Sequence, residues 1–373
     1  MTYEYEKHSD TVAAVAAANA VETDRGTFPK AAIDAMRETG LLGLISAADV
    51  GGQGQGMVAA AHVVERIARE CGSTAMVVCM HYCAVAVLEQ HGPKDVRSAI
   101  AAGKHLSTLA FSEAGSRSQF WAPVGSATAE GGDVRLNARK SFITSARNAD
   151  SYVWSSKPIA GSELSTLWLV PTKTAGLRHE GAGFDGLGLR GNDSSPVTAE
   201  DARVPAAARL GADGAGFGIM MGVALPWFNV LSTAFCVGLM ETAVAKTAGH
   251  VTKSQFQHAG STVADLPTVR AFIARMRIAT DQTRGLLNDT LAAIGGSRAD
   301  ATLRVLESKA AAGEAAAFVT DLAMRVCGGV AFRKEVGVER VFRDARASLV
   351  MGPTTDVLYD FIGKAVCGLP LFA

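Results

Sequence analysis

Three stretches of this sequence hold side chains whose types and spacing could do chemistry. In Ala110–Ser116, AFSEAGS, a β-type run ends at Ser112 and passes into an acid and a small-residue turn. A hydroxyl and backbone donors at a strand end can hold the carbonyl and imide edge of a heterocycle. In Lys140–Ala146, KSFITSA, Phe142 and Thr144 stand two apart, which places them on one face of a strand. An aromatic face beside a hydroxyl can pack on a flat ring and bond its edge nitrogen; an ordinary half-buried strand is the competing reading. The third stretch is VERVFRDARASLVMGPTTDVLYDF, residues 338–361. Charged residues at helical spacing give way to Gly352-Pro353, and Thr354-Thr355-Asp356 restarts a helix, so the run is a joint. Free N–H groups at such a restart suit an anionic or carbonyl-bearing ligand, although a plain helix corner has the same pattern.

The elements that must position these groups fall into three zones. Residues 1–105 read as helices, with apolar residues three and four apart in Ala13–Val21, Lys30–Leu42, Met57–Cys71 and Ser73–Gln90. Residues 106–212 hold short alternating or β-branched runs (LSTLAFS, SATA, DVRLNA, KSFITSA, SYVWSS, STLWLVP, SPVTAEDARV), with a hairpin turn at Gly131-Gly132-Asp133. Residues 213–373 return to long amphipathic helices at Gly216–Lys253, Leu266–Gly295 and Ala299–Gly328, joined by short loops that favour an antiparallel bundle. The expected architecture is mainly α with a central β-domain, and a cleft where the zones meet.

Composition narrows the classes of function. The 373 residues are 48% hydrophobic and 19% charged with zero net charge, enough for a large core and too neutral for nucleic acid as a main partner. No unbroken apolar stretch of about 18 residues appears, so no membrane span is expected. The start, MTYEYEKHSD, does not resemble a signal peptide, and a reduced, cytoplasmic protein is the default expectation. The six cysteines are scattered without a CxxC pair and read as reduced thiols. Cys79, His81 and Cys83 lack a second ligand pair, so no metal is expected. VGGQGQG at 50–56 lacks a preceding strand and a phosphate-binding lysine.

Taken together, the motifs resemble the acyl-CoA dehydrogenase flavoprotein superfamily over nearly the whole chain. Besides Ala110–Ser116 and Lys140–Ala146, the resemblance rests on LGLRGNDSSPVTAEDARVPAAARLG at 187–211, GAGFGIMMG at 214–222 and RVCGGVAFRKEVGVERVFRDAR at 325–346. It implies an N-terminal helical domain, a β-barrel-like middle domain and a C-terminal four-helix bundle, assembled as a homotetramer or homodimer with FAD at a subunit interface. By the same resemblance Ser112 would bond the flavin pyrimidine edge, Phe142 would pack near the ring and Thr144 would bond near N5. Lys253 and Phe256 would reach a neighbour's FAD. Lys253 stands where the family prefers arginine, which keeps the charge but loses the bidentate fork. Arg325 takes a place usually held by glutamine, Gly328 and Gly329 would let backbone approach the cofactor, and Thr354 and Thr355 would contact FAD. Glu113 matches an acid with a structural role.

The departures concern the reaction. The resemblance implies removal of a proton α to an acyl-CoA thioester while hydride passes to flavin N5, which needs a carboxylate base. Its usual place, just before the glycine of the joint, is Met351 here. The alternative place on the first bundle helix is Trp227 or a neighbour, and an expected Asp and Arg are replaced by Leu225 and Phe228, with Pro226 interrupting the helix. Trp227, Phe228 and Met351 would therefore form an apolar substrate wall. His81 is the first choice for a replacement acid or base, because its pKa is well placed; a satisfied core histidine is the competing reading. Asp356 reads equally well as a helix N-terminal acid, and Arg117 could meet an anionic substrate group or sit solvated in its loop. The leading reading is dehydrogenation of an acyl-CoA or similar substrate with a relocated or absent base, or elimination of a good leaving group, with an electron-transfer partner. The alternatives are a monooxygenase using reduced flavin from a reductase partner and oxygen, and a non-catalytic subunit.

Overall fold

Helical spacing of small and branched apolar residues sets the first layer. The computed structural model describes residues 3–117, 119–161, 165–181 and 183–372. Five helices open the chain: α1 (Tyr5–Asp24), α2 (Lys30–Thr39), α3 (Met57–Ala68), α4 (Gly72–His91) and α5 (Lys94–Ala101). α1 begins eight residues before the expected Ala13, and α5, with Val96, Ala99 and Ile100 at helical spacing, lies outside the expected stretches. α4 is the central helix, buried on almost every side, so its apolar residues show no one-sided pattern.

Eight strands follow: β1 (Ser107–Ala110), β2 (Ser126–Glu130), β3 (Asp133–Ile143), β4 (Ser151–Ser156), β5 (Thr166–Pro171), β6 (Leu177–His179), β7 (Ser195–Pro205) and β8 (Arg209–Leu210). They form two four-stranded sheets, in the orders β1-β4-β5-β8 and β2-β3-β7-β6. Val134, Leu136, Tyr152, Trp154, Trp168, Val170 and Val197 pack as a separate core for this layer. Glu130 pairs with Asp133 across a two-residue turn at Gly131-Gly132, where Gly131 takes φ +65°. DVRLNA and the KSFI of KSFITSA, expected as separate runs, are one strand, β3, with two register shifts against β7.

The third zone continues from α6 (Gly216–Ile219) through a π-turn at Met220–Ala224 into α7 (Leu225–Val251). The expected interruption at Pro226 does not occur, because the wider turn just before it accommodates a residue without an N–H. A small hairpin, β9 (Gln255–Phe256) and β10 (Ser261–Thr262), leads to α8 (Pro267–Gly295) and α9 (Ala301–Cys327). The chain ends in α10 (Val338–Ala345), α11 (Ala347–Val350) and α12 (Thr355–Val366).

The charges of α10 tie the zones together. The Arg343 guanidinium donates to both Asp24 carboxylate oxygens at 2.8 and 2.7 Å, and the Leu189 N–H donates to Asp344 at 2.6 Å. Burial pushes the Asp344 carboxyl up to about 6.

The expectation about membrane-length segments needs correcting. Gly72–His91, Gly216–Val251 and Ala301–Phe332 are each long and apolar enough to cross a membrane by length and composition. A search for unbroken apolar runs misses them because polar or charged residues interrupt them. In the first two, 89% and 83% of the apolar window is buried within the chain; in the third only 44% is.

Candidate functional site

The two expected flavin stretches meet at one place. The Ser141 N–H donates to the Ser112 carbonyl at 2.9 Å, and Glu113 bridges Lys140 in antiparallel fashion. Beneath them lies a buried ion pair: Lys140 Nζ donates to Glu113 Oε1 at 2.6 Å and to the Ser155 carbonyl and hydroxyl, both at 2.8 Å. The other Glu113 oxygen accepts from the Val124 and Gly125 N–H groups at 2.7 and 2.9 Å. Burial pushes the Lys140 ammonium below its usual range while Glu113 pulls it back up. This agrees with a structural role for Glu113.

Phe142 and Thr144 do not share a face. The second register shift of β3 falls between Lys140 and Ile143 and puts Phe142 at φ +54°, in the left-handed region. Its ring is thrown outward, 71% exposed, while Thr144 is buried with its hydroxyl 3.1 Å from that of Ser194. The period of two behind the expectation holds only without a bulge. From the end of β1 an aromatic chain runs to α12: Phe111 to Phe120 at 6.1 Å, Phe120 to Trp121 at 5.3 Å and Trp121 to Phe361 at 5.7 Å between ring centres. The flavin stretches and the last helix thus share one neighbourhood.

The joint has the predicted form. α11 stops at Val350, Met351 turns extended, and Thr354 caps α12 by accepting from the Val357 N–H at 3.5 Å. Thr355 is buried, and its hydroxyl has no partner among the described residues. Met351, Trp227 and Phe228 are all partly buried against the main core. Asp356 is exposed in the first turn of α12, as a helix N-terminal acid would be, and Arg117 is exposed in its loop.

One residue at this joint was missed. Lys309, on α9, is 2% exposed. Its ammonium donates to the carbonyls of Met351 at 3.0 Å and Pro353 at 2.7 Å, and lies 5.8 Å from the ring centre of Phe228. Burial pushes it down to about 8. The signal was a lysine set among the core-spaced Val305, Leu306, Ala312 and Ala316.

His81 is corrected by the structure. It is fully buried; Nδ1 accepts from the Ser107 N–H at 3.1 Å and Nε2 lies 2.9 Å from the Leu42 carbonyl, to which it donates. Burial pushes its pKa down to about 4. Both nitrogens are used by the backbone, so the ring is a neutral brace between segments and has no lone pair for a substrate.

The remaining predicted residues form a second group at the far end of the bundle. Lys253 and the half-buried Phe256 follow α7, Arg325 packs over the Phe272 ring at 4.7 Å, and Gly328 and Gly329 end α9. No hydrogen bond or ring contact joins this group to the first among the described residues. Trp227 and Val251 lie at opposite ends of α7, about 36 Å apart along the helix axis, and Arg325 lies about 24 Å along α9 from Lys309.

Comparison with known proteins identifies the family. Sequence profiles of the acyl-CoA dehydrogenase N-terminal, middle and C-terminal domains match residues 5–103, 108–202 and 214–367. Over 358 residues the chain is 29% identical to cyclohex-1-ene-1-carbonyl-CoA dehydrogenase of Geobacter metallireducens, covering 94% of this chain and 93% of that one. Over 338 residues it is 28% identical to the mitochondrial short-chain specific acyl-CoA dehydrogenase of Homo sapiens, covering 88% and 81%. The structure of butyryl-CoA dehydrogenase from Megasphaera elsdenii superimposes with a TM-score of 0.90 at 22% identity, over 98% and 97% of the two chains. The chain belongs to the acyl-CoA dehydrogenase family. Membership makes it a flavoprotein oxidoreductase, with FAD as the family cofactor.

This family member has surfaces that fit a flavin. A large ring held outward at Phe142, in a conformation that costs a non-glycine residue about 1–2 kcal/mol, is unexplained by the chain's own packing. Gly328 takes φ +62°, ψ −144°, a region open almost only to glycine, and a Cβ there or at Gly329 would meet nothing within 4 Å. Such a cradle lets backbone approach a cofactor closely.

Proposed function

We propose that this chain dehydrogenates an acyl-CoA or acyl-CoA-like thioester between its α- and β-carbons, acting in the cytoplasm as a homotetramer or homodimer with an electron-accepting partner. The observation that carries the reading is the joint: Met351 and Phe228 meet at Lys309, one residue along α7 from Trp227, where the family resemblance puts the thioester. FAD, when bound, supplies the hydride acceptor. Ser112, Phe142 and Thr144 would hold the ring side of the cofactor, and Lys253, Phe256, Arg325, Gly328 and Gly329 would hold the cofactor of a second copy. The separation of the two groups along α7 and α9 supports two copies completing one site. So does the apolar face of α9 and its neighbours, where Phe332 is 87% exposed and Ile278 56%.

What this chain's own residues do differs from a carboxylate mechanism. Met351 accepts no proton. The apolar wall packs against the acyl group, and the clamped joint keeps the α-carbon in place. The relatives above are named as dehydrogenases, and nothing in the site favours the oxygen-using reading over theirs. The test is to purify the protein with FAD and expose it anaerobically to a panel of acyl-CoA thioesters. Bleaching of the flavin absorbance by at least one thioester is expected; no bleaching and no spectral perturbation with any of them would sink the reading.

A further inference from the structure

No carboxylate among the described residues answers the buried Lys309 ammonium. Among the described residues the groups that face it are neutral. From α7 come the Phe228 ring and the Cys236 thiol, which burial pushes up to about 12. The joint contributes the Met351 and Pro353 carbonyls, and Ser348 on α11 lies against Cys236. The Cys236 thiol is the one titratable group that biases Lys309, and burial is the larger influence. Among the described residues, buried oxygens without a partner lie on α7, at Asn229 Oδ1 and Ser232 Oγ, and on α12, which follows the joint, at Thr355 Oγ1. The sign of charge at this joint is therefore positive, where the family resemblance leads one to expect a carboxylate.

We propose that Lys309 is the fixed positive charge of this site, a positioning residue that clamps the joint through Met351 and Pro353 and selects acyl thioesters whose α-carbon readily carries negative charge. This rests on the thioester reading above. When the α C–H bond breaks, its electron pair stays on the thioester as an enolate and the proton leaves to water. A nearby cation in a low-dielectric interior lowers the cost of that anion, by roughly tenfold or more in the acid constant. An already acidic thioester then needs no carboxylate base. The effect belongs to the ammonium form, so it is present below about pH 8 and fades above it.

The probe is acetoacetyl-CoA, whose α-proton is acidic, bound to the FAD holoenzyme. Enolate absorbance is titrated against pH in the wild type, K309Q and K309M. K309Q keeps two N–H donors without the charge. The wild type should form enolate at least one pH unit lower than K309Q, a tenfold shift; identical titrations overturn the electrostatic role. Amide exchange over residues 349–357, without thioester, reads the clamp separately. K309M should lose about tenfold protection or more and K309Q should retain it, whereas unchanged protection in K309M overturns the clamp. If K309M does not fold, comparable protection in wild type and K309Q supports the clamp, and a tenfold loss in K309Q overturns it. If no thioester binds the wild type, the thioester reading and the selection fall together, and the exchange result still decides the clamp.

Discussion

Two buried lysines divide this molecule. Lys140, in the β-domain, is met by the Glu113 carboxylate and two oxygens of Ser155, with the Trp154 ring 5.0 Å away. Lys309, in the helical bundle, is met among the described residues by two carbonyls, a neutral thiol and a more distant ring. Burial costs both ammonium groups, but only the first recovers part of the cost from an opposite charge. The difference separates architecture from chemistry. A compensated pair holds two strands in place under the expected flavin stretch. An uncompensated charge at the joint carries a standing cost, the kind of tension that functional sites retain.

The contrast can be broken most forcefully at the pair. Lys140→Met leaves Glu113 buried and unpaired and should destabilise the protein by about 3–5 kcal/mol in urea unfolding. A loss below about 1 kcal/mol would mean the two lysines are not different in kind. Lys309→Met should cost less, about 1–2 kcal/mol at pH 7, because relief of the buried charge offsets the two orphaned carbonyls.

Its pH dependence is the sharper test. The native ammonium is pushed from 10.5 to about 8, so between those values the unfolded chain binds the extra proton and stability rises with pH. The wild type should gain on Lys309→Met across that window, by up to about 3 kcal/mol. A flat difference would show that burial does not lower the Lys309 pKa at all. Met351→Glu gives Lys309 the partner it lacks. Flavin bleaching by simple saturated thioesters should then speed up about tenfold or more; unchanged binding and turnover would place Met351 outside the site. The smallest effect is expected at Phe142→Gly, which removes left-handed strain for up to about 1 kcal/mol of added stability while weakening flavin retention on gel filtration.

Much of this protein was legible in one dimension. The spacing of apolar residues placed the long helices, the Gly131-Gly132 pair placed a hairpin, and Gly352-Pro353 followed by Thr354 placed the joint and its cap. These are local signals, carried by side-chain period and backbone preference within a few residues. Met351 was informative for the same reason, since a motif names the residue type that should stand there. The tertiary structure alone decided what depends on neighbours distant in sequence. The bulge that turns Phe142 out arises in the pairing of β3 with β7, and the His81 nitrogens are taken by Leu42 and Ser107. Lys309 meets residues more than forty positions away at Met351 and Pro353. Burial and partner choice are properties of the packed chain, and they turn an unremarkable lysine into the charge at the joint.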